Sequence, residues 1–145
     1  MLSTTQKAYL AGFLDGDGSI YAQLKPNSTY RFGFQVAVYA VLFQSLQDRT
    51  NFEKICSLIG LGYLRERKDG ILEYIIGKYD ALREFLKIVQ PYVILKREQV
   101  ALMLEILDMK KRVEDKSDFI KLAHLVDRFR ELNYSKKRKK RVLTP

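Results

Sequence analysis

Two carboxylates one residue apart, set among glycines, are the part of this sequence best suited to chemistry. Asp15 and Asp17 lie in the run Leu10–Gly18, where apolar and small residues lead into Asp-Gly-Asp-Gly. Carboxylate and backbone carbonyl oxygens are the ligands that a hard cation such as Mg²⁺ prefers. An ordinary surface turn has the same composition. An EF-hand loop is excluded, because Ile20 stands at its glycine position and Pro26 where its bidentate glutamate would lie.

The element that positions these carboxylates is predicted to be a helix. Ser3 and Gln6 form a capping-box pattern, which predicts that a helix begins there. Gly16 and Gly18 are expected to end the helix and to allow a tight exit turn. At a helix C-terminus the last carbonyls lack intrahelical partners and the dipole is negative. The sequence therefore predicts a cation rather than an anion at this helix end.

The overall composition favours one folded domain that binds a polyanion. The chain has 145 residues, is 47% hydrophobic and carries a net charge of +9. Six of these charges lie in Lys136–Arg141, so the rest of the chain is only mildly basic. One cysteine, Cys56, and one histidine, His124, exclude an internal disulfide and a Cys/His zinc site. No signal peptide or membrane-spanning run is expected, and Cys56 is expected to be a small core residue.

Periodicity along the chain predicts the order α-β-β-α-β-β-α-α-α. Hydrophobic alternation predicts strands over Ser19–Lys25, Arg31–Val41, Tyr63–Arg67 and Ile71–Ile76, and helical spacing predicts helices over Phe52–Ile59, Leu82–Val89, Arg97 to about Met109, and Phe119–Phe129 with Ser117 as its cap. Two β-hairpins, each followed by a helix, predict an α+β domain whose helices lie on one face of an antiparallel sheet. The domain is predicted to span residues 1–132, and residues 133–145 to form a basic, flexible tail. Non-specific phosphate contact is favoured for this tail over a localisation signal or a solvated end.

The sheet face turned away from the helices is rich in side chains that hydrogen-bond or carry positive charge. Alternation assigns eight residues to this open face: Tyr21, Gln23, Lys25, Gln35, Tyr39, Arg65, Arg67 and Glu73. Glutamine pairs with adenine edges, and arginine or lysine with guanine. The set therefore favours a surface that reads DNA bases over an ordinary solvated face.

The run Leu10–Gly18 resembles the signature helix of the LAGLIDADG homing endonucleases. Two longer motifs extend the resemblance, namely DGDGSI-x-AQ-x-KPN-x-x-Y from Asp15 to Tyr30 and Ile59-Gly60-x-Gly62-Tyr63-x-Arg65-x-Arg67, together with Gln90-Pro91-Tyr92. The chain resembles most the short, single-motif group over about residues 5–110. This resemblance implies an α-β-β-α-β-β-α fold with a saddle-shaped sheet. It also implies a homodimer that cuts both strands of a long pseudo-palindromic DNA target, leaving cohesive 3′ ends.

The resemblance assigns roles to individual residues. It makes Asp17 a catalytic residue and metal ligand, with the Gly16 carbonyl as a second ligand. Gln44 is implied to order water or metal, and Lys96 to polarise the site. The implied cofactor is Mg²⁺, with Mn²⁺ expected to substitute. Asp48 departs from the pattern, since a second basic active-site residue is expected there. Either the neighbouring Arg49 takes that role after a small shift, or the role is weakened.

The resemblance also implies two contact surfaces. The DNA-contacting positions are Gln23, Lys25, Asn27, Tyr30, Gln35, Arg65, Arg67 and Glu73. Ala8, Ala11 and Gly12 are expected at the dimer interface, because small side chains let two helices approach closely; close packing inside one domain would need them equally. The expected partners are double-stranded DNA and a second copy of the chain, with no organic cofactor and no membrane.

Two other functions use some of the same features. One is a non-cleaving nucleic-acid-binding protein or intron-splicing maturase on the same scaffold, which leaves Asp17 without a purpose. The other is an interaction domain that uses the small-residue helix only to oligomerise, which leaves the polar sheet face unexplained. An intracellular location is expected, either organellar or the cytoplasm of an archaeon or bacterium.

Overall fold

The structure, a computed structural model, describes residues 1–133. The elements in chain order are α1 (Thr4–Asp17), β1 (Gly18–Pro26), β2 (Phe34–Ser45), a short 3-10 turn (Leu46–Asp48), α2 (Arg49–Ile59), β3 (Tyr63–Glu66), β4 (Ile71–Ile76), α3 (Tyr79–Val89), α4 (Arg97–Lys111), α5 (Lys116–Asp127) and α6 (Phe129–Leu132). No helix within this part of the chain is long and apolar enough to cross a membrane. Beyond Asn133, the predicted tail lies outside the described residues, and the predicted division at residue 132 stays a prediction.

The four strands form one antiparallel sheet in the order β1-β2-β4-β3. In the β1–β2 hairpin, Gly18 lies opposite Leu42 and Lys25 opposite Gln35. On its β2 side, strand β4 pairs with the second half of β2, from Ala40 to Ser45. The first half of β2 therefore pairs with β1 alone. The register fixes which side chains share a row across the sheet.

One hydrophobic core joins one face of this sheet to the helices. Alternate strand residues, including Ile20, Val38, Leu42 and Ile76, belong to the same buried cluster as the apolar residues of the helices. Burying such side chains is the main favourable contribution to folding, at about 25 cal/mol per Å² of apolar surface. The predicted α+β architecture, with helices on one face, is confirmed.

Both predicted ends of the second strand are wrong, because strand pairing and a turn set them. Strand β2 runs to Ser45 rather than ending at Val41, since β4 supplies its hydrogen-bonding partners. It begins only at Phe34, because residues 27–33 form a closed turn in which Asn27 N donates to Gly33 O at 2.9 Å. That turn needs Gly33, whose φ is +81°.

The last predicted helix is also corrected. Its cap is Asp115, whose carboxylate accepts from Asp118 N at 2.8 Å, and not Ser117. The helix ends at Asp127, and Phe129 begins the separate short helix α6. The buried face predicted for it is nevertheless present, with Leu122, Val126 and Phe129 in the core.

The Ile59–Tyr63 motif is a turn that two glycines make possible. Gly60 ends α2 in the left-handed region, with φ +64°. A Cβ on Gly62 would lie 2.2 Å from the Ile75 carbonyl oxygen, so only glycine fits there. The buried Tyr74 hydroxyl accepts from Leu61 N and Gly62 N at 3.0 and 2.7 Å. These contacts fix the start of β3 and hence the side chains that it presents.

Candidate active site and nucleic-acid interface

The tip of α1 is the point where helix and sheet meet. The predicted capping box is present, with Gln6 N donating to Ser3 Oγ and Ser3 N to Gln6 Oε1. The prediction that Gly16 ends the helix is wrong, because α1 continues to Asp17. Gly18 then starts β1 in extended backbone, and a Cβ there would lie 2.8 Å from the Leu14 carbonyl oxygen. Glycine is needed at position 18 for this close approach rather than for its φ.

The two carboxylates of the motif have different surroundings. Asp15 Oδ2 accepts from the backbone N–H groups of Ile94 and Leu95, at 2.7 and 3.1 Å. Asp15 Oδ1 accepts from Lys96 N at 3.1 Å. These N–H groups precede α4 and have no partner within that helix. Asp15 therefore joins the end of α1 to the start of α4, a role that local sequence patterns did not reveal.

Asp17 is the carboxylate left available for a ligand. It is exposed, and among residues 1–133 its side chain has no hydrogen-bond or ion-pair partner. Gly16 is also exposed, and its carbonyl belongs to the last turn of the helix, where intrahelical partners run out. Within the described residues no group of three or more His, Cys, Asp or Glu side chains could hold a metal. One protomer thus offers a partial oxygen site that external oxygen ligands can complete.

Lys96 lies beside this tip, as the sequence predicted. Its Nζ donates to the Asp15 carbonyl oxygen at 2.9 Å. Burial lowers the pKa of the Lys96 ammonium below its usual value, while the carboxylates of Asp15 and Asp17 oppose that shift. The structure therefore places one cation next to the exposed Asp17.

Gln44 lies near the end of β2, in the same region. The register pairs Leu42 with Gly18, the residue after Asp17, so Gln44 stands two residues beyond that pair. Its Oε1 accepts from Ser45 N at 2.8 Å, and its amide nitrogen, Nε2, has no hydrogen-bond partner among residues 1–133. Gln44 is half-buried and belongs to the helix-facing side of β2, where α1 packs.

The departure at Asp48 is not compensated by its neighbour in this conformation. Asp48 is exposed at the start of α2 and caps nothing with its side chain. Arg49 forms ion pairs with Glu66 at 2.9 Å and with Glu53 at 3.6 Å. Because Glu66 in β3 and Glu53 one turn along α2 already bind the guanidinium, the structure gives no support for Arg49 as the replacement of the missing basic residue.

The open face of the sheet carries most of the predicted polar side chains. Gln23 lies opposite Ala37, Lys25 opposite Gln35 and Arg65 opposite Glu73. Lys25 Nζ donates to the Tyr39 hydroxyl at 3.0 Å. Arg65 Nη1 lies 3.7 Å from Glu73 Oε1, an atom that is buried and has no hydrogen-bond partner within the described chain.

Three predicted DNA-contacting residues lie at the ends of strands rather than within them. Arg67 follows β3, in the β3–β4 turn, and pairs with Asp69 at 2.6 Å. The Asn27 side chain accepts from Thr29 within its own turn. Tyr30 lines a cleft together with Phe119, on the helix-covered side of the sheet. In this conformation the open face therefore does not include Tyr30.

The helix face predicted for dimerisation is corrected at one residue. Ala8 and Gly12 are exposed and one turn apart, and nothing lies within 4 Å of a Cβ built on Gly12. Ala11 is 0% exposed, because it packs in the core of its own chain. Its assignment to a dimer interface is therefore contradicted.

Sequence reasoning missed two apolar residues beside this helix face. Ile94 and Leu95 are 72% and 73% exposed, and Asp15 holds their backbone N–H groups. They lie at the tip of α1, on the side that Asp15 faces. Helical or strand periodicity could not find them, because they lie in the turn before α4.

Cys56 takes no part in this site. It is buried in the core, as predicted, and burial raises the pKa of its thiol to about 11. The thiolate that reactive cysteines need is therefore disfavoured.

Comparison with known proteins identifies the family. The family model described as LAGLIDADG endonuclease matches residues 10–104, from the α1 motif into α4. The chain belongs to this family.

Relatives in the family cover most of the chain. DNA endonuclease I-CreI from Chlamydomonas reinhardtii is 39% identical over 132 residues, which is 90% of this chain and 80% of the relative. DNA endonuclease I-CvuI from Chlorella vulgaris is 35% identical over 131 residues, which is 90% of this chain and 81% of the relative.

Solved structures of LAGLIDADG endonucleases match the fold. A crystal structure of the homing endonuclease I-CvuI with its target, in the presence of 2 mM Ca, gives a TM-score of 0.85 at 34% identity, covering 93% of this chain and 86% of that chain. A second I-CvuI complex, with the I-CreI target and 2 mM Mg, contains uncleaved DNA; its TM-score is 0.85 at 34% identity, covering 92% and 85%. The predicted family, fold and enzyme class, a DNA endonuclease, are confirmed.

Proposed function

We propose that two copies of this chain form a homing endonuclease that cuts both strands of a long, pseudo-palindromic DNA target. The observation that carries the proposal is the difference between the two carboxylates at the α1 tip. The Asp15 carboxylate accepts hydrogen bonds from three backbone N–H groups, whereas Asp17 is exposed and has no side-chain partner within residues 1–133. An exposed carboxylate at a negative helix end suits a cation-assisted reaction at phosphate.

The proposed cofactor is Mg²⁺, with Mn²⁺ as a substitute. Asp17 and the Gly16 carbonyl would hold it, and phosphate oxygens and water would complete the oxygen shell that Mg²⁺ favours. When bound, the cation supplies neutralisation of phosphate charge and acidification of water. The I-CvuI complexes crystallised with 2 mM Mg and 2 mM Ca support the choice of a divalent cation.

Lys96 and Gln44 are proposed to act on the phosphate and water near this tip. The Lys96 ammonium is braced by the Asp15 carbonyl, so it can approach a phosphate oxygen without searching many rotamers. Gln44 keeps its amide nitrogen free, because its Oε1 is bound to Ser45 N. That nitrogen can donate to an ordered water or a phosphate oxygen.

The second copy is proposed because one protomer supplies one Asp17, whereas cutting two strands requires two such centres. Ala8 and Gly12 give α1 a flat exposed stripe, and Ile94 and Leu95 add exposed apolar surface beside its tip. A two-fold axis along this stripe would bring two tips together. Pairing two identical protomers also explains recognition of a pseudo-palindrome.

The open sheet face is proposed to read the target in the major groove. Gln23, Lys25 and Gln35 form one polar end of that face, and Arg65 with Glu73 forms the other. Glu73 Oε1 is buried 3.7 Å from Arg65 Nη1, so its charge can restrain the Arg65 guanidinium, which is exposed and can reach guanine. The neighbouring turns supply Asn27 and Arg67, whereas Tyr30 lies on the helix-covered side of the sheet.

The test is selection of cleaved sites from a randomised duplex library in Mg²⁺, followed by sedimentation of the protein on a selected site in Ca²⁺. We expect one long pseudo-palindromic consensus, double-strand cuts and two protomers per duplex. Cleavage without sequence preference, or one protomer per cut duplex, would contradict the proposal.

A further inference from the structure

The middle of the open face differs from its two polar ends. Tyr21 and Tyr39 are direct cross-strand partners, and their ring centroids lie 4.9 Å apart. The next row across the sheet contains Ser19, Val41, Ile75 and Tyr63. We name Tyr21, Tyr39 and Tyr63 the tyrosine cluster.

The tyrosine cluster covers an apolar patch. Val41 and Ile75 point to the open face, yet they are only 3% and 8% exposed. Since the helices pack on the opposite face, this burial comes from neighbouring side chains on the open face itself. Burial also raises the pKa of Tyr21, and Tyr39 adds to that shift. The centre of the face is therefore an apolar patch that the tyrosine side chains shield from solvent.

The cluster is bounded by cations on both sides along the strands. Lys25 lies two rows away, and its Nζ both donates to the Tyr39 hydroxyl and stands 5.5 Å from the centre of that ring. Arg65 lies in the row beyond Tyr63 on the other side. An occupant of the whole face must accordingly be anionic at its edges and offer apolar groups to the middle.

We propose that the tyrosine cluster reads the C5-methyl groups of thymine in one or two adjacent base pairs of each half-site. The inference rests on the proposed function, since it takes duplex DNA as the occupant. Thymine methyl is the apolar group that base pairs display in the major groove. Rows on one sheet face are about 6.6 Å apart and stacked base pairs about 3.4 Å, so two rows span roughly two base pairs. These pairs lie between those that Lys25 and Arg65 read.

The experiment uses the full chain with a selected duplex in Ca²⁺. Each thymine is replaced singly by deoxyuridine, which removes one methyl and keeps the base pairing. We expect about fourfold weaker binding at one or two adjacent positions of each half-site, and no loss at the other thymines. With a C·G pair at the sensitive position, 5-methylcytosine should bind more tightly than cytosine.

Protein variants connect this effect to the cluster. Tyr63 is 59% exposed, so its substitution leaves the core intact. Tyr63→Ala should reduce the penalty for deoxyuridine at one sensitive position, whereas Tyr63→Phe, which keeps the ring, should preserve it. Arg65→Ala is the control, because it should weaken binding without changing the deoxyuridine pattern.

The outcomes separate the inference from the function on which it rests. Tight binding and cleavage that are indifferent to every deoxyuridine would overturn thymine reading and leave the endonuclease proposal standing; the tyrosines would then be only a cover for the apolar patch. A protein that binds no duplex from the library would overturn both.

Discussion

Neighbouring residues of the same type can have opposite functions, as Asp15 and Asp17 demonstrate. The Asp15 carboxylate accepts hydrogen bonds from three N–H groups of the turn before α4. Asp17, two residues later, faces solvent. The helical turn alone explains this difference, because residues two apart on a helix point in directions about 200° apart.

Asp17→Asn is predicted to stop cleavage while leaving DNA binding nearly unchanged. The amide keeps the size of the side chain but loses the charge that attracts a cation, so the cleavage rate should fall at least about 100-fold. The measurement is single-turnover cleavage of a selected duplex in Mg²⁺, with affinity measured in parallel. Asp127→Asn, on the exposed side of α5, is the control. Undiminished cleavage by Asp17→Asn would refute the metal assignment.

Asp15→Asn is predicted to destabilise the fold. The single oxygen of asparagine can accept from only some of the three N–H groups. Its NH₂ group is then placed against a remaining N–H, so that two donors meet without an acceptor. The loss of unfolding free energy should be about 1–3 kcal/mol. Urea unfolding of Asp15→Asn and Asp17→Asn, measured side by side, checks this. Equal stability of the two variants would mean that the Asp15 contacts contribute nothing.

At the scale of elements, the outer face of α1 poses a conflict between helix stability and assembly. Glycine in a helix interior costs stability relative to alanine, and the space around Gly12 within its own chain is empty. A single protomer therefore gains nothing visible from keeping glycine at this position. Close approach of a second helix in the proposed dimer would explain it.

Gly12→Ala is predicted to stabilise the protomer but to weaken the dimer. Helix propensity should add about 0.5–1 kcal/mol to protomer stability. The added methyl should raise the dimer dissociation constant about tenfold or more, because a packed interface tolerates extra volume poorly. Sedimentation equilibrium measures that constant. Ser57→Ala, on the exposed face of α2, should change stability in the same direction and leave dimerisation untouched.

Helices α3 and α4 are joined by an ion pair between Arg83 and Asp108. The hydrogen bond from Arg83 holds the pKa of Asp108 below its usual value. A carboxylate whose pKa is lower in the folded state stabilises the fold above its unfolded pKa, and that contribution disappears as pH falls through the folded pKa. The stabilising effect of Asp108 is thus present at neutral pH and lost in acid.

Asp108→Asn is predicted to lower the unfolding free energy at pH 7 and to matter less in acid. The difference between the natural chain and the variant should shrink as pH falls below about 4, where unfolded aspartate takes up its proton. Urea unfolding at pH 7, 5 and 3 measures it. A difference that stays constant over this range would show that the pair does not contribute through its charge.

For the whole molecule, charge is concentrated at the C-terminal end. Asn133 Nδ2 donates to the Ile20 carbonyl oxygen in β1, three residues after Asp17. The described chain thus ends beside β1, close to the tip of α1. Lys136–Arg141 follows it within a few residues, although its placement lies outside the described residues.

Truncation after Asn133 is predicted to weaken DNA binding uniformly across sequences. Each lost phosphate contact should reduce the slope of log affinity against log salt by about 0.9. Affinity for a selected and a scrambled duplex, measured at several salt concentrations, checks this. Replacement of the six basic residues by glutamine is the matched variant, since it keeps the chain length. An unchanged salt slope would reject phosphate contact by the tail.

The sequence by itself determined the features that depend on neighbours along the chain. The Ser3–Gln6 capping box, the alternation of β1 and the Gly60 helix end follow from local backbone chemistry, so they could be predicted residue by residue. The α1 motif also pointed to Asp17, because the types of residue at the helix tip and their spacing are local properties.

The tertiary structure decided whatever depends on residues far apart in the chain. The partners of Asp15 are 79 to 81 residues away, and Arg49 at the start of α2 pairs with Glu66 in β3. Ala11 has the same small side chain as Ala8, but packing against the core buries one and leaves the other exposed. Such choices are made by three-dimensional contact, which local periodicity does not encode.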